Sequence, residues 1–475
     1  MTPNVPLLSW TPDADPTIPG VMVDVENMLP TTRGYAPDYE LTDTVNSVGA
    51  LPSTCRGANY VRFSSLTSLT FVGTETAVYV SFGGSLIDLS RAAAYTAVTD
   101  AYLGWRFDAI GDVALCVSRD NQLQYTTNPS GGTDFANVSG APSASTMCVQ
   151  SNFVMLGGFF GGAWPYGDGW WCSAIEDYSD WTPDVATQCV QGRLLQTPGA
   201  ILRLVAFGNY VIAFKQGSML RGTYIGAPQA WRWDVISTSV GLVGHDAVCD
   251  AEGVLYWLAE DGFYRFAGGT PQRIASAPWR WFQAQLYDSL YLSRAQAHWD
   301  PARRVVRWYY PSDVSNALNA GLAYHPQTDR WGRFTQTIEW ATNSLREYCG
   351  LDVAGETYNR VSNAAVVVDS NHELQCYATD IANSSFTTGD IGDDEAVTGN
   401  FSARVRFVQA PASSSATHYH RMVLSDALTT GTTTTRSDGK YDLAAASRWH
   451  RLKFAQTGMC EPIGFSVDVK PAGRR

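Results

Sequence analysis

Between Gly199 and Ser276 the chain carries two hairpin modules placed back to back, and a module of this kind cannot bury its own faces. The first runs from Leu204 to Phe214 through a Gly208-Asn209 turn, passes Lys215–Ser218 and continues as Met219–Tyr224. The second runs Ala247–Asp250, turns at Glu252-Gly253, continues as Val254–Leu258, turns at Glu260-Asp261-Gly262 and ends as Phe263–Ala267. The glycine and asparagine turns supply the positive φ that tight hairpins need. Val, Ile, Tyr, Phe and Trp fill the strands, as suits a pleated, half-buried surface. Such units call for neighbours of the same kind.

Those neighbours are present. Unit one is Tyr60–Phe63, Ser68–Val72, Ala77–Val80 and Leu86–Leu89; unit two is Trp105–Ile110, Asp112–Val117 and Leu123–Tyr125. Unit three is Met147–Val149, Phe153–Gly157 and Gly169–Ser173, ending in Asp177–Trp181. The opening pair are units four and five. Unit six is Ala295–Trp299, Val305–Tyr310, Gly321–Tyr324 and Asp329–Phe334, and a weaker unit seven is Arg346–Cys349, Ala364–Val368 and Leu374–Tyr377. The spacing, roughly 35–45 residues, is that of propeller blades. A β-sandwich or large barrel would also alternate, but the period favours an all-β fold: a β-propeller of about seven blades with a small C-terminal antiparallel β domain. One helix is expected near Trp279–Gln285, leading into Ser289–Leu292, as an insertion between units five and six.

Outside the repeats the composition changes. Residues 1–50 are Pro-rich and read as an extended segment packed on a propeller of residues 51–382, because Asn27–Pro30 and Arg33–Pro37 resist helix. Residues 383–400, rich in Ser, Thr, Gly and Asp, read as a linker or exposed loop. Residues 401–475 alternate again in Phe401–Phe407, Tyr419–Leu424, Trp449–Phe454 and Ile463–Val469, with Thr429–Thr435 expected as a polar, mobile loop.

The 45 acidic against 33 basic residues give a net charge of −12, which argues against gripping nucleic acid through a basic face. No apolar run of about 18 residues is present, so no membrane segment is expected. Met1–Pro6 lacks the features of a secretory signal. Nine cysteines without a CxxC pair read as reduced, mostly buried thiols of a protein made in a cytoplasm.

Chemical motifs are sparse. There is no GxxxxGK[ST] phosphate loop, GxSxG elbow or HExxH. His418 and His420 share one face of an expected strand and could chelate a metal, but with no adjacent acidic or thiol ligand they read as a surface pair. Asp168, Glu176, Asp177 and Asp180 cluster beside Trp164, Trp170, Trp171 and Trp181, as carboxylates and platforms do in sugar-processing sites. The plainer reading makes Asp177 and Asp180 caps of blade turns and the tryptophans core. Arg404, Arg406, Arg421, Arg448, Arg451, Lys453, Arg474 and Arg475 could touch nucleic acid, but in an acidic chain they read as a solvated face or an interface with an acidic partner. No catalytic, cofactor-binding or metal-binding residue is assigned, and no cofactor is expected.

Trp231–Ser237, Ser239–Gly244 and Tyr256–Phe266, together with Glu26–Pro30, Arg33–Tyr35, Trp170–Ser173 and Asp180-Trp181, carry a resemblance. Over about residues 20 to 380 the chain resembles the packaged-DNA stabilization, or tail hub (nozzle), proteins of short-tailed bacteriophages, and the ending Val467–Arg475 has a similar character. The resemblance implies a non-enzymatic virion tail protein, assembled in the host cytoplasm. It implies a self-associated ring, expected to be a hexamer, below the portal and its adaptor. That ring would continue the channel for packaged double-stranded DNA, without sequence-specific binding, and hold tail fibres, spikes or a needle. Acidic turns such as Glu260-Asp261 and Asp393–Glu395 would give the lumen a sign that repels phosphate. The rival reading is a carbohydrate-binding or carbohydrate-active propeller; a further one is a cellular interaction scaffold of WD-like type.

Overall fold

In the computed structural model, seven antiparallel sheets stand round a common axis. The described residues are 4–44, 49–99, 104–162, 164–286, 289–314, 317–345, 363–381 and 383–474. In chain order the innermost strands of blades one to seven are Cys55–Arg62, Arg106–Ile110, Thr146–Gln150, Ile201–Phe207, Val248–Ala251, Gln296–Asp300 and Ile338–Leu345. The inner strand of blade seven returns to lie beside that of blade one, which closes the ring. The fold is therefore all-β, a seven-bladed propeller; units one to six each give one blade, but the outer strand of blade three is Val190–Arg193 rather than Asp177–Trp181, and the inner strand of blade seven is Ile338–Leu345.

Burial explains why the second strands read as continuous apolar runs. Ser68–Thr74 of blade one and Val305–Tyr310 of blade six are buried at every position, because each lies between two neighbouring blades. Aromatic rings join the blades: Phe71 stacks on Phe107 at 5.6 Å between blades one and two, and Trp170 meets Trp233 at 5.5 Å between three and four. Phe263 of blade five packs against Trp308 and Trp331 of blade six, each at 4.9 Å. The expected helix forms at Trp279–Gln285, and a 3-10 helix lies at Ser289–Arg294.

The N-terminal segment is woven into three sheets rather than laid over one. Its strands are β1 (Asn4–Pro6), β2 (Met22–Glu26), β3 (Met28–Pro30), β4 (Tyr35–Pro37) and β5 (Tyr39–Thr44). β5 pairs with Leu374–Ile381 and supplies the fourth strand of blade seven. The β3–β4 hairpin joins the outer strand of blade six, which becomes six-stranded.

β1 and β2 belong to the second domain. There a ten-stranded sheet runs in the order β1, Pro462–Arg474, Ala396–Phe407, Tyr441–Ala444, Thr429–Thr435, Ser413–Arg421, Trp449–Thr457, Ser384–Thr388 and β2, with Ile391–Gly392 on the side of Trp449–Thr457. Leu8 N–H donates to Gly20 O and Thr11 N–H to Met22 O, each at 3.1 Å, so the two ends of the sheet meet. The curled sheet encloses Val25, Phe386, Val405, Tyr441, Leu443, Leu452, Phe454 and Phe465.

Two expected loops are strands. Ser384–Thr388, within the stretch read as a linker, is buried throughout and pairs on both sides. Thr429–Thr435, read as a mobile loop, pairs with Ser413–Arg421 and Tyr441–Ala444. Polar composition misled in both places, since Ser and Thr satisfy a strand as well as a loop once neighbours take up the backbone groups. Arg346–Cys349 of unit seven and Arg475 lie outside the described residues.

Candidate functional site

The inner strands of all seven blades line one axial cavity of about 430 Å³. Three of its walls bear charge. Arg106 of blade two reaches Asp246, just before blade five, with Nη1–Oδ1 at 2.5 Å and Nη2–Oδ2 at 3.1 Å. Arg203 of blade four approaches the same carboxylate at 3.4 Å. Burial favours the neutral acid of Asp246, but Arg106 and then Arg203 outweigh it and hold the carboxyl below its ordinary range. Burial, reinforced by Arg106, lowers Arg203 to about 10.

Asp108 shares this wall. Its Oδ1 accepts from Ala109 N–H at 2.9 Å and its Oδ2 from Val149 N–H at 2.8 Å, yet burial still pushes it up to about 6. On the far side, His298 of blade six and Thr342 and Asn343 of blade seven are neutral. Burial takes His298 down to about 4. A side-chain hydrogen bond with Asn343 opposes that shift in part, and Thr342 Oγ1 is enclosed without a protein partner. None of these residues stood out in the sequence, since they come from separate repeats and share only the inner-strand position.

The residues that did stand out lie elsewhere. Asp168 accepts two hydrogen bonds from Arg193, at 2.8 and 3.0 Å. Asp177 Oδ1 accepts from the hydroxyl of Ser179 and then from its backbone N–H, which hold it below its ordinary range, and Asp180 Oδ1 accepts from Thr182 N–H. Glu176 accepts from Asn152 at 3.1 Å. Trp170 and Trp181 belong to separate core clusters, and Trp164 and Trp171 pack against the cluster of Trp181. Asp177 and Asp180 thus cap turns, Asp168 and Glu176 are bonded by the Arg193 and Asn152 side chains, and the tryptophans fill blade interfaces.

His418 is not at the surface. It is fully buried and stacks on His450 at 5.1 Å, with Nε2 of His418 2.9 Å from Nδ1 of His450. His450 Nε2 lies 2.7 Å from Thr398 Oγ1. Burial, then the neighbouring imidazoles, lowers His418 to about 4. Strand alternation put His418 and His420 on one face, and that face is the inside of the curled sheet. Among the described residues no group of three or more His, Cys, Asp or Glu is placed to hold a metal ion.

The basic residues divide. Arg421 and Arg451 both bind the buried Asp390, at 2.5 and 2.9 Å, and Lys453 lies 3.6 Å from Glu26. Arg404 and Arg406 are exposed. Among the described residues no helix is long and apolar enough to cross a membrane.

No family model matches the chain, and no curated protein matches it significantly. Solved structures similar to it include the extracellular domain of the one-component system BT4673 of B. thetaiotaomicron, at 9% identity and a TM-score of 0.43, covering 85% of this chain. This chain spans 45% of that domain. The WD40 domain of Neurospora crassa Pan2 is similar at 7% identity and a TM-score of 0.38, over 69% of this chain and 92% of its own. YCF48 bound to D1 peptide is similar at 12% identity and a TM-score of 0.38, over 74% of this chain and 98% of its own.

Proposed function

We propose that the protein is a structural subunit of a short-tailed bacteriophage tail, a nozzle or hub that assembles as a ring below the portal adaptor. The observation that best supports this reading is the path of residues 4–44, which enter the curled sheet, blade six and blade seven in turn. A chain tied in this way resists the separation of its two domains under load. The segments that carry the family resemblance build blades: Trp231–Ser237 lies in the outer strand of blade four, Tyr256–Phe266 forms a hairpin of blade five, and Met28–Pro30 and Tyr35 sit on blade six. In this reading duplex DNA passes between copies. The propeller's own axis is bridged by Arg106 and Asp246, and its cavity is far narrower than a duplex. The ring is expected to be a hexamer with an acidic lumen, consistent with the net charge of −12.

Light scattering of the purified chain, alone and with the portal adaptor, tests the reading, together with mass spectrometry of purified particles. A ring and a particle-associated protein are expected. A monomer under both conditions, absent from particles, would sink it. The carbohydrate-active rival is tested separately: it requires Glu176→Gln or Asp177→Asn to abolish sugar turnover, whereas a side-chain bond to Asn152 and a turn cap at Ser179 leave only a small change in stability.

A further inference from the structure

Among the described residues, blade four ends in the longest open strand edge of the propeller. Its outer strand, Ala230–Ser237, runs for 8 residues, whereas the outermost strands of the other blades run for 2 to 6. No described strand pairs with its outer side. A row of open N–H and C=O groups is a template for another strand, which is why exposed edges are generally short, covered or bent away.

The register shows which part of this edge a partner can follow. Against Met219–Gly226 of the same blade the pairing shifts between Met219 and Leu220, and again between Tyr224 and Gly226. The regular stretch between those shifts is Trp231–Val235, with Trp233 at its centre. About that centre the stretch complements itself. When two copies pair antiparallel with Trp233 facing Trp233, Arg232 of each copy opposes Asp234 of the other, and Trp231 opposes Val235. Arg232 and Asp234 are 59% and 41% exposed and meet only each other, at 3.2 Å. Pairing exchanges that one contact for two across the strands, and it covers Val235, which is 39% exposed. The Trp233 ring leaves the approach clear. It lies back across Gly222, where an added Cβ would meet it at 2.9 Å, and it packs on Trp170 of blade three.

We propose that Ala230–Ser237 docks a second copy of this chain, strand to antiparallel strand, about a two-fold axis at Trp233. Such a contact uses the same surface on both copies and closes after two. A ring requires head-to-tail contacts between two different surfaces, so the strand pairing stands or falls apart from the tail reading.

Sedimentation equilibrium of the full chain tests the proposal. A dimer is expected at concentrations on the order of 100 μM, the strength of a small interface. Arg232→Asp and Asp234→Arg, each checked by thermal unfolding for an intact fold, set like charges opposite one another. Each is expected to weaken the dimer by about tenfold or more. Mixed in equal amounts, the two variants again present opposite charges to each other, and the dimer is expected to return. The proposal is overturned if the unaltered chain forms no dimer at that concentration, or if the folded variants associate as strongly as it does. It is also overturned if the mixture stays as weak as either variant alone.

Discussion

Arg307 in blade six grips Asp38, between β4 and β5, through two parallel hydrogen bonds of 2.7 and 2.9 Å. Arg307 is 0% exposed and Asp38 1%. Asp300 completes the site at 3.0 Å, and the guanidinium lies 4.3 Å from the ring centre of Tyr377 in blade seven. Tyr309 and Tyr377 bond to each other through their hydroxyls beside it. Burial disfavours the charge on Arg307, but Asp38 foremost outweighs it and raises the group well above its ordinary value. The pair anchors the N-terminal chain where it enters blade seven.

Breaking this pair is therefore expected to be costly. Asp38→Ala leaves a buried guanidinium with one carboxylate instead of two, and loss of a buried partner costs about 3–5 kcal/mol. Urea denaturation should show a midpoint lowered accordingly. An unchanged midpoint would mean that Asp300 alone satisfies Arg307.

Removing residues 4–44 takes away β1 to β5 together and exposes four strand edges. Hydrogen exchange along Leu374–Ile381 is expected to accelerate, because its partner is gone, and the truncated chain is expected to aggregate through the open edges. Protection equal to that of the full chain would show that β5 adds nothing to ring closure.

Acid should destabilise the fold. His245, His298 and His418 have an ordinary value of 6.5 and are held at about 4, and His450 is lowered as well, in each case chiefly by burial. A group depressed in the folded state contributes stability above its unfolded value and loses it as pH falls, here from 6.5 down to about 4. Each full shift is worth on the order of 3 kcal/mol. Asp108, raised from 3.8 to about 6, acts in the opposite sense over that window and offsets one histidine. Denaturation midpoints measured from pH 7 to 4 are expected to fall, and His418→Gln to flatten part of the slope. A level profile would show that the imidazoles take up protons without loss of packing.

A methyl group at Gly73 would run into the ring of Trp105, whose indole N–H donates to Thr74 O at 2.8 Å. Gly73→Ala is expected to cost about 1–3 kcal/mol. Gly217→Ala, with open space around the added carbon, is expected to be nearly neutral, and thermal unfolding of the two side by side gives the comparison.

The blades were legible because their signal is local. Tyr210–Lys215 and Val254–Ala259 keep their apolar runs and turn glycines within a single module, and the module forms wherever its faces are covered. The helix at Trp279–Gln285 was legible for the same reason. His418 was placed on the correct strand but the wrong side. Alternation states which residues share a face, and not which face is buried.

By itself the sequence determined an all-β chain of seven repeated modules, since strand period, turn residues and repeat length are properties of neighbouring residues. Tertiary structure alone decided that β5 closes blade seven, that Ser384–Thr388 is a central strand, and that Asp38 meets Arg307 across 269 positions of chain. It also decided that Arg106, Arg203, Asp246 and His298 face one axis. A strand edge offers the same N–H and C=O groups to any partner, so its choice among distant strands is made only when the whole set of buried faces is satisfied together.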